Sequence, residues 1–140
     1  MDALRALTND HLRIKALLNA VENVHDTWKK RFFDQAESEF QLHSQLEETV
    51  LDPVIREHGL ENMVRKDLDD HQTLQPLLKE LEDLPPIHPE FTRKVRLLSQ
   101  NIEQHVSQEE EEMFPKVREV LDPCAIEVLG IQIQEARKTR

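Results

Sequence analysis

The sequence predicts an all-α fold, an up-down-up-down antiparallel four-helix bundle followed by a short fifth helix. Three observations predict it. Only two of the 140 residues are glycine and none is tyrosine, while Leu, Glu, Gln, Lys and Arg abound, as in a chain built from helices. Apolar residues recur at intervals of three and four along four long stretches. Breaks such as "EHGLEN" and "PPIHPE" separate those stretches by short connections, which favours antiparallel neighbours. A chain of 140 residues is one domain of ordinary size, able to bury roughly two-thirds of its unfolded surface without staples.

The first helix is carried by Leu4, Leu7, Ile14, Leu17, Leu18, Val21, Val24 and Trp28, a single stripe from Ala3 to about Trp28. The second runs from about Asp34 to Leu51 through Ala36, Phe40, Leu42, Leu46 and Val50, and "DPVIREHGLEN" ends it, with Gly59 as the stop. The third spans about Leu60 to Leu84, with Pro76 interrupting it and "PPIHPE" ending it. The fourth spans about Glu90 to Val120, kinked at Pro115. The segment "LDPCAIEVLGIQIQEARKTR" gives the short fifth helix and a charged tail.

Charge excludes some function classes. Against 28 acidic residues stand 18 basic ones, a net charge of -10, which offers no phosphate-binding surface and argues against nucleic acid as a partner. The N-terminal "MDALRALTNDHLRIKALL" lacks a signal pattern, and no apolar span of membrane length follows it. The expectation is therefore a cytoplasmic protein without a membrane partner. Cys124 is the only cysteine, so no internal disulfide forms; it reads as a small apolar filler in a reducing compartment.

The chemistry lies in a repeat. "NDHLRIKALL" at 9–18 resembles "DDHQTLQPLL" at 69–78, and "HSQLEETVLDP" at 43–53 resembles "HVSQEEEEMFP" at 105–115. His11 and His71 lie 60 positions apart; His43 and His105, Glu47 and Glu109, and Pro53 and Pro115 each lie 62 apart. The duplicated motif is H-x-x-x-E followed by proline. Residues four apart lie about 40° round a helix and one turn along, so each His and Glu point into the same space. In antiparallel helices, residues at one level are equidistant from the turn between them. The midpoints of this set fall at 28, 58 and 89, the last two on "EHGLEN" and "PPIHPE". So His11, His43, Glu47, His71, His105 and Glu109 are expected at one level of the bundle, with His25, His58 and His88 at its ends. Four imidazoles and two carboxylates pointing inward suit two first-row transition ions, with the carboxylates able to bridge them. Left without metal, such a buried set would be costly.

In this combination the residues resemble the hemerythrin-like, or HHE cation-binding, domain family, with residues 1–140 as one such domain. The resemblance rests on D-H in helix one, H-x-x-x-E in helix two, D-H in helix three, and H-x-x-x-E-E ending in F-P in helix four. It implies a non-haem centre of two iron ions, bridged by carboxylates and an oxo or hydroxo oxygen, with His11, His43, His71 and His105 as terminal ligands and Glu47 and Glu109 as bridges. It also implies binding of, or reaction with, O2, peroxide or nitric oxide, and the alternative is an iron or oxygen sensor, or an iron store, whose metal occupancy controls folding and the binding of a protein partner. Oxygen carriers of the family have H-x-x-x-H in the third helix, whereas here His71 is followed by Gln75. One imidazole fewer argues against reversible oxygen carriage. Asp10 and Asp70 are expected to hold imidazole N–H groups from other helices, and Glu48 is the next candidate ligand. Access is expected through the apolar lining around Leu46, Leu74, Val106 and Met113.

Overall fold

The computed structural model describes residues 1–139, and among these there are helices and no strands. Helix α1 (Ala3–Asn23) begins at Asp2, whose carboxylate accepts from the Arg5 N–H at 2.9 Å. It ends five residues earlier than the stripe predicts. Val24 is extended, and His25 caps the next helix by accepting from Thr27 N–H, so α2 (Asp26–Leu46) starts eight residues before Asp34. Trp28 therefore belongs to α2 and is half exposed. Apolar spacing carried the reading across a turn that the cap of α2 creates. Lys29 and Lys30 then close helix ends: Lys29 donates to Val21 O of α1 at 2.8 Å, and Lys30 donates to Glu82 O at 2.7 Å near the end of α4. Each satisfies a carbonyl that has no partner within its own helix.

The second rod does not stop at Leu46. A π-helical turn, Glu47–Leu51, leads into α3 (Asp52–Glu57), and the chain reverses at Gly59, whose φ of 87° suits glycine. Helix α4 (Glu61–Asp83) takes Pro76 within it. Helix α5 (Pro89–Gln108) begins at His88, which accepts from Glu90 N–H, and passes through a second π turn, Glu109–Met113, into α6 (Phe114–Val120). Where a simple kink is expected at Pro115, the helix widens instead. Proline has no N–H for the ordinary helical bond, and its ring crowds the carbonyl four residues back. The π turns relieve this, since Asp52 N–H bonds to Glu47 O and Phe114 N–H to Glu109 O, each five residues back, just before Pro53 and Pro115.

These widened turns sit where the core changes character. On one side lies an apolar cluster with Leu4, Leu7, Leu51, Ile55, Val64, Met113 and Val117; on the other lies a second with Ile14, Leu18, Phe33, Phe40, Leu78, Phe91 and Leu98. Buried polar residues form the layer between them. Helix α7 (Pro123–Lys138) starts at its Asp122 cap and packs Ile126, Leu129 and Ile133 into the first cluster. Cys124 is exposed on its first turn rather than filling the interior. No described helix is long and apolar enough to cross a membrane.

Two outcomes are expected of this architecture. Where α7 crosses the start of α1, a Cβ on Gly130 would lie 2.3 Å from Met1 O. Because that obstacle is backbone, Gly130→Ala should cost about 1–3 kcal/mol, outweighing the roughly 1 kcal/mol it gains in helix propensity. Calorimetry should show melting several degrees lower, and unchanged melting would show that the close approach is dispensable. The second outcome concerns Glu37 of α2, which burial and the neighbouring Glu82 carboxyl push up from 4.5 to about 8. A carboxyl raised on folding binds its proton more tightly in the native state, so stability is lost as pH climbs from about 4.5 through 8. Glu37→Gln should therefore gain more over the parent at pH 9 than at pH 5. An advantage that does not vary with pH would overturn the Glu37–Glu82 pairing.

Candidate metal centre

The polar layer contains all six residues singled out in the sequence. His11 and Asp10 come from α1, His43 from α2, Glu47 from the first π turn, His71 from α4, His105 from α5 and Glu109 from the second π turn. Each of the six is 5% exposed or less. They form two groups, within each of which the donor atoms lie within 4.8 Å of one another: His11, His43, Glu47 and Glu109 in one, and Asp67, His71, His105 and Glu109 in the other. Glu109 is common to both. Its Oε1 stands 2.9 Å from His11 Nε2 and its Oε2 stands 3.1 Å from His105 Nε2, so one carboxylate spans the groups. Glu47 belongs to the first group alone, against His43 Nε2.

Asp67 is a residue the motif reading missed. It is 4% exposed, with Oδ1 3.4 Å from His105 Nε2 and Oδ2 3.7 Å from His71 Nε2. The signal was there as D-x-x-x-H, the same four-residue step in reverse. Asp52, 1% exposed with neither carboxylate oxygen bonded, was likewise unanticipated.

The outer nitrogen of every imidazole faces a carboxylate. His43 Nδ1 meets Asp10 at 2.9 Å and His105 Nδ1 meets Asp70 at 3.3 Å, each across from a neighbouring helix as the phase of Asp10 and Asp70 requires. His11 Nδ1 meets Glu110 at 2.6 Å, and His71 Nδ1 meets Glu48 at 3.4 Å. Glu48 is thus an outer partner rather than an inner donor, and Glu110 is its duplicated counterpart. A proton held at Nδ1 leaves each Nε2 lone pair facing inward. Asp10 is itself held by Arg137 of α7 at 2.7 Å, so the last helix steadies His43 through one carboxylate.

The inward atoms fit a cation better than they fit one another. His11 Nε2 and His43 Nε2 stand 3.1 Å apart, as do His71 Nε2 and His105 Nε2. With metal–ligand bonds of about 2.0–2.2 Å, adjacent donors on one ion are spaced by roughly 3 Å. None of the four oxygens of Glu47 and Glu109 receives a hydrogen bond of good geometry among the described residues. The proton equilibria carry the same strain. Burial and Glu109 raise Glu47; burial, Glu47 and Glu109 raise Asp67 far above the carboxylate range. Burial would raise Glu109 too, but His105 and His11 hold it well below its usual value. Burial alone would depress His43 and His105, yet the carboxylates around them push these up to about 10 and about 9, while burial and His105 bring His71 down to about 4. The layer is short of positive charge, and mixed imidazole and carboxylate donors suit first-row transition ions rather than calcium.

His25, His58 and His88 lie exposed at helix ends, outside this layer. Gln75 does not reach inward; it bonds with Gln41 of α2. Leu46, Leu74, Val106 and Met113 are buried within the two apolar clusters.

Comparison with known proteins agrees with this geometry. A "DNA nickase" from Nostoc sp. (strain PCC 7120 / SAG 25.82 / UTEX 2576) is 27% identical over 129 residues, which is 91% of this chain but only 37% of the relative. Residues 2–117 match the description of the hemerythrin HHE cation binding domain, a span that contains every residue of the two groups. This chain belongs to the hemerythrin HHE cation-binding domain family.

Proposed function

We propose that the chain holds two iron ions between these groups and binds or reacts with a small molecule, O2, peroxide or nitric oxide. The observation that carries this reading is Glu109, whose two oxygens face imidazoles of different groups and lack hydrogen bonds. In that reading His11, His43 and Glu47 would hold one ion, His71, His105 and Asp67 would hold the other, and Glu109, common to both groups, would serve both. Bound there, the iron pair would supply the redox and Lewis-acid chemistry that the side chains lack. The chain's own part is to orient the imidazoles through Asp10, Asp70, Glu48 and Glu110, and to exclude bulk water with the apolar clusters on either side. Gln75, turned away toward Gln41, leaves the second group without a further imidazole, which favours reaction over reversible carriage.

A second reading, an iron or oxygen sensor whose occupancy controls folding, draws on the position of the layer between the two halves of the core. A domain whose core depends on a filled polar layer reports metal through its stability. The nickase name of the Nostoc relative belongs to a protein most of whose length lies outside the match, and the net charge of -10 here argues against a phosphate-binding surface.

The decisive experiment is the absorption spectrum and iron content of aerobically purified protein, followed by addition of peroxide or nitric oxide to the reduced form. Rapid spectral change supports the reactive centre, and a stable, reversible oxy spectrum would overturn the argument from Gln75. Iron should approach about two per chain, and Glu109→Ala should lose both ions, whereas Glu110→Ala should keep most of its metal. Retention of metal by Glu109→Ala would remove the bridge. Chelation should lower the melting temperature: saturation at about 100 times Kd contributes about 2.7 kcal/mol, or roughly 5–10 °C for a domain of this size. A melting curve untouched by verified metal removal would sink the sensor reading.

A further inference from the structure

The two halves of the centre are duplicated in sequence but differ in their surroundings. Around His11 the contacts are close, and the cleft beside Glu110 and Phe114 does not have His11 in its lining. Phe114 lies parallel to its imidazole with centroids 6.2 Å apart, and Glu110 holds Nδ1 at 2.6 Å. At the corresponding places in the other half Glu48 matches Glu110, but different residues stand elsewhere: Asp52 for Phe114, Asp67 for Leu7 and Gln75 for Lys15. Around His71 the contacts are looser and more polar. Phe40 meets its ring nearly at right angles, and Glu48 stands 3.4 Å from Nδ1.

On this side a cleft of about 730 Å³ runs between α2 and α4 down to His71, lined by Gln41, Ser44, Gln45, Glu48 and Gln75. Gln41 and Gln75 exchange amide hydrogen bonds across it, at 2.7 and 3.2 Å. Ser44 is only 5% exposed, and its hydroxyl has no partner among the described residues. A buried hydroxyl without a partner is unfavourable, and a bound molecule that bonds to it would relieve that.

We propose that this cleft is the binding site, and the route to the His71 half of the centre, for a small uncharged hydrogen-bonding molecule of the hydrogen peroxide class. The proposal rests on the reading of the layer as a metal centre. Its chemistry follows from the lining. Amides and a hydroxyl offer both donors and acceptors, which a peroxide satisfies and an apolar diatomic does not. An anion would meet the Glu48 carboxyl in the cleft lining and the acidic charge of the whole chain.

The test separates binding from reaction. With redox-inert zinc in the centre, titration with hydrogen peroxide should shift the side-chain amide NMR signals of Gln41 and Gln75 saturably. Ser44→Ala should weaken that binding about three- to tenfold, the loss of one hydrogen bond. In the reduced iron-loaded protein, Gln41→Trp, which fills the cleft mouth, should slow reaction with peroxide about tenfold and with nitric oxide less. Amide signals that fail to move, together with an undiminished peroxide rate in Gln41→Trp, overturn the cleft and leave the reactive centre standing. Saturable shifts without reaction of the reduced iron-loaded protein with peroxide, nitric oxide or O2 uphold the cleft as a binding site and overturn the reactive centre.

Discussion

The structure depends on the cost of burying three carboxylates and four imidazoles between two apolar clusters. Glu47, Asp67 and Glu109 bring negative charge to the middle of the bundle, and none of the four oxygens of Glu47 and Glu109 is settled by a hydrogen bond among the described residues. An isolated charge in such surroundings is prohibitive, and only a cation or a proton relieves it. The surrounding carboxylates answer that constraint. Asp10, Asp70, Glu48 and Glu110 fix the imidazole tautomers, and Arg137 of α7 holds Asp10, so a residue 127 positions away from it in sequence bears on the orientation of His43. The fifth helix is thus tied to the centre through charge as well as to the core through Ile126, Leu129 and Ile133.

The two π turns meet the same constraint from the backbone. A straight α-helix carrying H-x-x-x-E-x5-P would place proline against a carbonyl four residues back. Widening the helix at Glu47 and Glu109 removes that conflict and resets the helical phase beyond each glutamate. Leu51 and Ile55, and Met113 and Val117, can then turn into the first apolar cluster while His43 and His105 keep their inward aim. The backbone irregularity and the polar layer coincide because both concern the same glutamates.

Much of this was legible in the sequence, for identifiable reasons. The duplicated spacing of His11, His43, Glu47, His71, His105 and Glu109 fixes their common level whatever the packing details, since helical rise and antiparallel order suffice. Asp10 and Asp70 were legible as partners for other helices because a preceding residue sits about 100° off a ligand's direction. The turn at Val24 and His25 was not legible, because Val21, Val24 and Trp28 keep helical spacing straight through it. Nor were the π turns, since a proline in a helical pattern reads as a kink whether the helix bends or widens. Asp67 escaped because the repeat that exposed the other residues does not include it: its counterpart is Leu7.

That last difference shows what duplication does and does not preserve. The imidazoles and glutamates of the repeat face inward in both halves, as the demand of two adjacent cation sites on donor type and direction would require. The residues one layer out meet no such demand. Phe114 and Glu110 pack against His11, whereas Glu48 and Gln75 line the cleft that reaches His71. The carboxylates that hold the imidazoles are repeated, Asp10 with Asp70 and Glu110 with Glu48, but Asp67 and Asp52 replace Leu7 and Phe114, which makes the two halves chemically unequal even though their donors are matched in number. Each group has two imidazoles, one carboxylate of its own and a share of Glu109, with Asp67 in the second group taking the part that Glu47 takes in the first. Donor charge therefore does not distinguish them, and the difference lies in access: the cleft beside Glu48 has His71 in its lining, whereas the cleft beside Glu110 does not have His11 in its own. In a centre whose halves share Glu109, a change of charge on one side is felt by the other through a single carboxylate. The asymmetry of the surroundings assigns direction to a site whose sequence repeat alone would make it symmetric.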